Sequence, residues 1–262
     1  CTMNRREQYE DNREYIHKNC LDKLINFEEN IDYSEGAYDS VNGKLNIAIP
    51  PEANDLVRLH KLIREKKPFT VMEFGVGFST LIIADALYKN KEDWELRDVK
   101  DQIRNRYMFR LFSVDVSRKW IEATKCKIPT YIKDFISFHV SNVVAGTYRD
   151  QICHYYKSLP DIVPDFIYVD GPASRDVKGS VHGLTFSCDE RTVMSADLLL
   201  MEPVFTPGLN ILIDGRTNNA RFLERNFTRN YSVDWDKGND ITLFSLEEDS
   251  LGKYNKSWGD YI

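Results

Sequence analysis

The stretch Thr70-Val71-Met72-Glu73-Phe74-Gly75-Val76-Gly77-Phe78-Ser79-Thr80 decides the fold. A short apolar strand over residues 70–74 runs into a Gly-x-Gly bend, and the helical pattern that follows continues to Tyr88. Glycine at such a bend lets backbone approach a ligand, and the amides that open the helix are free to meet an anionic group. This is a nucleotide-type loop. A dinucleotide fingerprint calls for a third glycine three residues after the second, where this chain has Thr80. A phosphate P-loop ends in Gly-Lys-Ser/Thr, whereas Gly77 is followed by Phe78. Acidic Glu73 would repel a pyrophosphate but suits a ligand ammonium, reached directly or through water.

Outward from the loop the strand and helix pattern repeats. Residues 111–115, 136–140, 165–170 and 210–214 read as further strands, with helices at 117–124, 190–200 and 221–226. Short apolar strands separated by helices predict a parallel sheet covered on both faces. Residues 232–236 and 241–246 have no helix between them, so they close the sheet as an antiparallel pair around Lys237-Gly238-Asn239. Upstream, residues 4–30 carry Tyr15, Ile16, Leu21, Leu24, Ile25 and Phe27 at helical spacing, residues 33–51 hold turn signals, and 52–66 resume a helix that Pro68 stops. The predicted organisation is a helical extension and connector at 1–49, a ligand-binding domain at 50–246 and a tail at 247–262. Two insertions interrupt it. The charged stretch 89–106 reads as solvated decoration, and 171–189 as a substrate lid, because it leaves the carboxyl end of a central strand.

The 262 residues are 42% hydrophobic and 29% charged, the make-up of an ordinary globular protein. A net charge of -6 and no long basic stripe argue against nucleic acid as the main partner. The five cysteines contain no C-x-x-C pair and are odd in number, which suits a reducing compartment and disfavours zinc. With no apolar run near the roughly 18 residues of a membrane span and no apolar signal-peptide core at the start, the expected location is cytoplasmic.

Asp115 ends the second strand, where an acid can take both hydroxyls of a ribose; the other reading is a cap for the helix that starts at Ser117. At this point a family likeness emerges. Pro50-Pro51-Glu52, Val71 to Thr80, Ser113-Val114-Asp115 and Asp165-Phe166-Ile167-Tyr168-Val169-Asp170-Gly171-Pro172 resemble, in order, the landmarks of class I S-adenosylmethionine-dependent methyltransferases. The likeness covers roughly residues 50–246. It implies an α/β, Rossmann-like class I methyltransferase fold, a mostly parallel seven-stranded sheet with helices on both faces, plus the N-terminal helical extension.

By that resemblance S-adenosyl-L-methionine is the cofactor. Gly75 and Gly77, with Glu73, Ser79 and Thr80, would hold its methionine part, Asp115 its ribose and Asn142 its adenine, with Asp170 also in contact. The endings Val169-Asp170-Gly171-Pro172 and Ile213-Asp214-Gly215-Arg216 look most like bacterial O-methyltransferases of sugars or natural products. The implied reaction is methyl transfer to a hydroxyl of a sugar, polysaccharide or natural-product acceptor. An aminopropyl transferase using the same pocket and a catalytically silent scaffold are the alternatives; Glu73 speaks against the former.

Asp170 and Asp214 end strands expected to be neighbours, about 4.8 Å apart, so they could share Mg or another divalent cation. Methyltransferases with such an ion carry a further Asp or Asn where this chain has Gly215, which leaves Asn218 and Asn219 as reserves. Without metal, the candidate bases are Asp170, Asp214 and His182, the imidazole of the second insertion. His139 reads as structural, and Arg175, Lys178 and Arg216 as candidates for an anionic substrate. The partner is a small-molecule or glycan acceptor, and a homo-oligomer is compatible with the aromatic-rich N-terminal helices.

Overall fold

The computed structural model describes residues 5–27, 51–97, 103–188 and 190–252, with the side chains from residue 10 onward. The predicted connector at 33–51, apart from Pro51, and most of the tail lie outside the described residues. Seven strands form the main sheet: β1 (Thr70–Phe74), β2 (Arg110–Asp115), β3 (Ile136–Val140), β6 (Phe166–Val169), β8 (Asn210–Asp214), β9 (Tyr231–Asp236) and β10 (Ile241–Leu246). Their order is β3-β2-β1-β6-β8-β10-β9. β10 alone runs against the rest, pairing antiparallel with both β8 and β9. This is the mostly parallel, seven-stranded Rossmann-like sheet that the sequence led us to expect.

The central strands are apolar for a physical reason. Every residue of β1 and β6 is buried, because helices cover both faces of a parallel sheet. On one face Val71, Phe166, Tyr168 and Leu212 pack with α2 (Ala53–Lys66) and α3 (Phe78–Glu95). On the other, Met72, Phe74, Ile167, Val169, Ile211 and Ile213 pack with α6 (Asp197–Met201) and α7 (Thr217–Asn226). α2 buries Leu56, Leu59, His60 and Ile63, a single face of the helix, and ends at left-handed Lys67 ahead of Pro68. α4 (Arg118–Lys125) is capped by Ser117, whose Oγ accepts from the amide of Trp120 at 3.2 Å. α5 (Thr130–Lys133) is a single turn before β3.

The structure departs from the sequence reading in several places. Residues 89–95 are the last turns of α3 rather than decoration, and Trp94 packs with Phe69 and Phe109 in a small core of its own. The helix expected over 190–200 is only α6, because 190–196 runs as irregular chain. A second sheet, β5-β4-β7, was not anticipated; it consists of β4 (Val143–Tyr148), β5 (Gln151–Tyr156) and the two-residue β7 (Val177–Lys178). It lays Val143, Cys153, Tyr156 and Val177 on the same core as α6 and α7. The predicted N-terminal extension holds α1 (Arg5–Lys18). It packs beside α2, where the Tyr15 hydroxyl and His60 Nδ1 lie 2.8 Å apart.

The chain moves from β1 outward to β3 and then crosses back to β6. The carboxyl ends of β1 and β6 therefore part their following loops in opposite directions, which opens a crevice at that point.

Candidate active site

The crevice is a cavity of ≈ 1340 Å³ along the carboxyl edge of the sheet. It is lined by the starts of α2, α3, α4 and α7 and by the segments after β6 and before α6. At its centre the loops after β1 and β6 touch. Gly75 has φ +101°, and a side chain there would meet the Asp170 backbone at 3.2 Å. A Cβ on Gly171 would come within 2.8 Å of the Gly75 nitrogen. No other residue type fits these two positions without moving one loop off the other. Gly77 differs: its backbone is extended, and a Cβ would meet nothing within 4 Å. Its missing side chain leaves open space on the cavity wall.

Of the expected cofactor contacts, Gly75, Gly77, Ser79, Asp115 and Asp170 line the cavity together. Asp115 has a double tie. Its Oδ2 accepts from the Val76 amide at 3.0 Å and its Oδ1 from the Ser117 amide at 2.7 Å. The cap of α4 is thus Ser117 and not Asp115, whose bonds tie the turns after β1 and β2 and leave each oxygen a second lone pair. Glu73 and Thr80 lie beneath the loop instead of on the wall. Glu73 is fully buried and accepts from the hydroxyls of Ser79, Thr80 and Ser113 at 2.5, 2.7 and 2.6 Å. Thr80 passes this order upward by accepting from the Gly77 amide at 3.1 Å. The ammonium contact expected of Glu73, direct or through water, gives way to an organising role beneath the loop. Burial pushes its carboxyl up to about 7, against the pull of the three hydroxyls.

Two expected residues fall outside the cavity. Asn142 is exposed and its carbonyl accepts from the Lys157 amide at 2.8 Å, so the wall near Asp115 is built by Val116 and Trp120 instead. His182 is exposed in a tight turn closed by reciprocal Val181 and Leu184 backbone bonds. It is no part of the wall, and Arg191, Thr192 and Val193 are the nearby residues that are. His139 Nε2 lies 3.0 Å from the Ser158 hydroxyl, away from the cavity lining.

No protein-family model matches the chain, and no curated protein matches it. Solved structures do resemble it. The O-methyltransferase TomG from Streptomyces achromogenes, involved in tomaymycin synthesis and in complex with SAM, is 14% identical over 90% of this chain and 99% of its own, with a TM-score of 0.44. An O-methyltransferase from Bacillus cereus in complex with SAH is 13% identical over 89% and 90%, with a TM-score of 0.39. A methyltransferase from Geobacter sulfurreducens is 15% identical over 88% and 97%, with a TM-score of 0.41.

The far end of the cavity is acidic. Asp170 and Asp214 follow paired residues Val169 and Ile213, and Glu52 and Asp55 approach from the start of α2. Partial enclosure by the cavity walls first, then repulsion from Asp214 and Asp55, pushes Asp170 up to about 6 although Arg216 pulls it down, while its side chain stays 56% exposed to solvent. Burial likewise raises Asp214, whose Oδ2 accepts from the Tyr168 hydroxyl at 2.6 Å. Glu52 is raised foremost by its hydrogen bond with Asp55. Tyr156, stacked on Phe74 at 5.4 Å, lines the floor, and burial holds its phenol protonated.

The donors around Asp170 and Asp214 do not fit a divalent ion. Among the described residues no three His, Cys, Asp or Glu side chains come together as a ligand set. Asn219 is spent on both backbone groups of Ser195, at 3.1 Å each. Asn218 donates to Thr192 at 2.6 Å. Sequence reasoning missed Asp55, Trp120, Tyr156 and Arg191, which carry no motif and reach the cavity only through tertiary folding.

Proposed function

We propose that the protein is an S-adenosylmethionine-dependent methyltransferase acting on a hydroxyl of a sugar, polysaccharide or natural-product acceptor. One observation carries the reading. The glycine loop and Asp115 share a single cavity with the acid pair Asp170 and Asp214, and its volume exceeds the roughly 300–1,000 Å³ of a one-ligand site. There is room for cofactor and acceptor side by side.

The open wall at Gly77 and the spare lone pairs of Asp115 fit an amino-acid nucleoside with a ribose diol. When bound, the cofactor supplies a methyl group already activated on a sulfonium sulfur, which keeps the bonding pair on departure. The protein's task is then mainly to hold the acceptor oxygen in line. Asp170 has the proton affinity for a base near neutral pH and takes the hydroxyl proton as the new C–O bond forms. Asp214, fixed by Tyr168, orients the acceptor beside it.

Calorimetry with S-adenosylhomocysteine tests the cofactor, and label transfer from the methyl-labelled cofactor to a panel of glycans tests the acceptor. Saturable binding and transfer that fails in Asp170→Asn are expected. No heat at millimolar S-adenosylhomocysteine would leave only a silent scaffold of this fold.

A further inference from the structure

We propose that Arg216 is a built-in cation that takes, between the ends of β6 and β8, the place a divalent ion would hold. On the methyltransferase reading given above, the acceptor site then works without metal.

The chain turns at Gly215, directly after Asp214, and sends the next side chain back across the end of β6. The Arg216 guanidinium donates from Nη1 to the Pro172 carbonyl at 2.8 Å and from Nη2 to the Asp170 carbonyl at 2.7 Å. Its Nη2 stands 3.8 Å from the Asp170 carboxylate, and the side chain is only 16% exposed. Both bonds go to main-chain carbonyls, so they pin the loop after β6 while the Asp170 carboxylate keeps its face toward the cavity. The positive charge is delivered and the base stays open.

The charge is needed. The negative charges of Asp55 and Asp214 bear on both Glu52 and Asp170, while Arg58, bonded to Asp55, is felt at Glu52 and Asp214. Arg216 bears on Asp170 and joins Arg58 at Asp214. A guanidinium cannot be deprotonated at any working pH. It would also repel a divalent ion brought to the same two carboxylates. Gly215 supplies no side chain for a third ligand. Arg216 is thus a positioning residue that combines two jobs: fixing the loop and offsetting the acids.

The test uses Mn²⁺ alone as probe, followed by the loss of its free-ion electron paramagnetic resonance signal. The wild-type protein is expected to leave millimolar Mn²⁺ free. Arg216→Gln, shown folded by near-ultraviolet circular dichroism, is expected to bind it at least about tenfold more tightly than wild type. Arg216→Lys, which keeps the charge, should behave as wild type. Uptake of Mn²⁺ by the wild type that disappears in Asp170→Asn would overturn the proposal. So would a folded Arg216→Gln that gains no affinity. The wild-type measurement stands whether or not a variant folds. It needs no cofactor, so a failed S-adenosylhomocysteine titration would sink the methyltransferase reading and leave this result intact.

Discussion

Two glycines two residues apart do different work, and substitution separates them. Gly75→Ala combines a left-handed φ with a backbone contact at Asp170. It is expected to cost about 1–3 kcal/mol in a urea melt and to weaken S-adenosylhomocysteine binding through the shifted loop. Gly77→Ala adds a methyl into open space on ordinary backbone. Stability should stay within about 0.5 kcal/mol, while affinity falls by about 1–3 kcal/mol because the methyl fills ligand space. Equal losses of stability in the two variants would contradict this division. Glu73 gives a pH signature. Its folded pKa of about 7 lies above the ordinary 4.5, so the native state retains a proton that the unfolded chain has released between those values. Its contribution to stability is therefore full below pH 4.5 and lost as pH rises through 7. Glu73→Gln should remove roughly 3 kcal/mol of that decline, read as the difference between variant and wild-type urea midpoints across the range. Parallel pH profiles for the two proteins would refute it. The residue types at Gly75, Glu73 and Asp115 were legible in the sequence, but the burial of Glu73 was not, because a strand pattern does not reveal which hydroxyls close over a carboxylate.

At the scale of elements, α1 is held by a polar relay. His60 Nε2 lies 2.9 Å from Asp85 Oδ2, Asp85 Oδ1 accepts from Tyr131 at 2.7 Å, and Lys89 reaches both Asp85 and the Asn19 carbonyl. Tyr15 is the link from α1 to this relay, and His60 is wholly buried. Tyr15→Phe should leave a buried ring nitrogen unpaired and cost about 1–3 kcal/mol. Amides of residues 10–18 are expected to lose protection from hydrogen exchange before the rest of the molecule. Unchanged exchange in α1 would show that its other contacts, among them the Asn12–Asn54 bond and the apolar packing, hold it without the Tyr15 link. Element types in the central sheet were readable from all-buried apolar runs. The β4 and β5 hairpin was not, since its turn places Arg149 and Asp150 in left-handed backbone without a glycine or an Asn-Gly pair to announce it. Nor does any local signal distinguish the end of α3 from a charged loop, because the helix buries only Asn90 and Trp94 beyond Leu87.

For the whole molecule, the cavity draws on the ends of β1, β2, β6 and β8, so a ligand that fills it is linked to global unfolding. S-adenosylhomocysteine at about a hundred times its Kd should stabilise the fold by about 2.7 kcal/mol, a rise in melting temperature of about 5–10 °C in a chain of this size. No shift at saturation would contradict the shared cavity as the ligand site. Among the described residues no helix is long and apolar enough to cross a membrane. What the sequence by itself determined is periodic or local: buried parallel strands, a glycine bend that only certain ligands tolerate, and acids at strand ends. Tertiary structure decided which of those residues share one wall. It removed His182 and Asn142 from the site, put Glu73 beneath it, and brought Tyr156, Arg191 and Arg216 together around it. The physical reason is that period and propensity act over a few residues, whereas the wall of a crevice is set by crossovers that bring together residues as distant as Pro51 and Asp240, and packing chooses their orientation only when the whole sheet has closed.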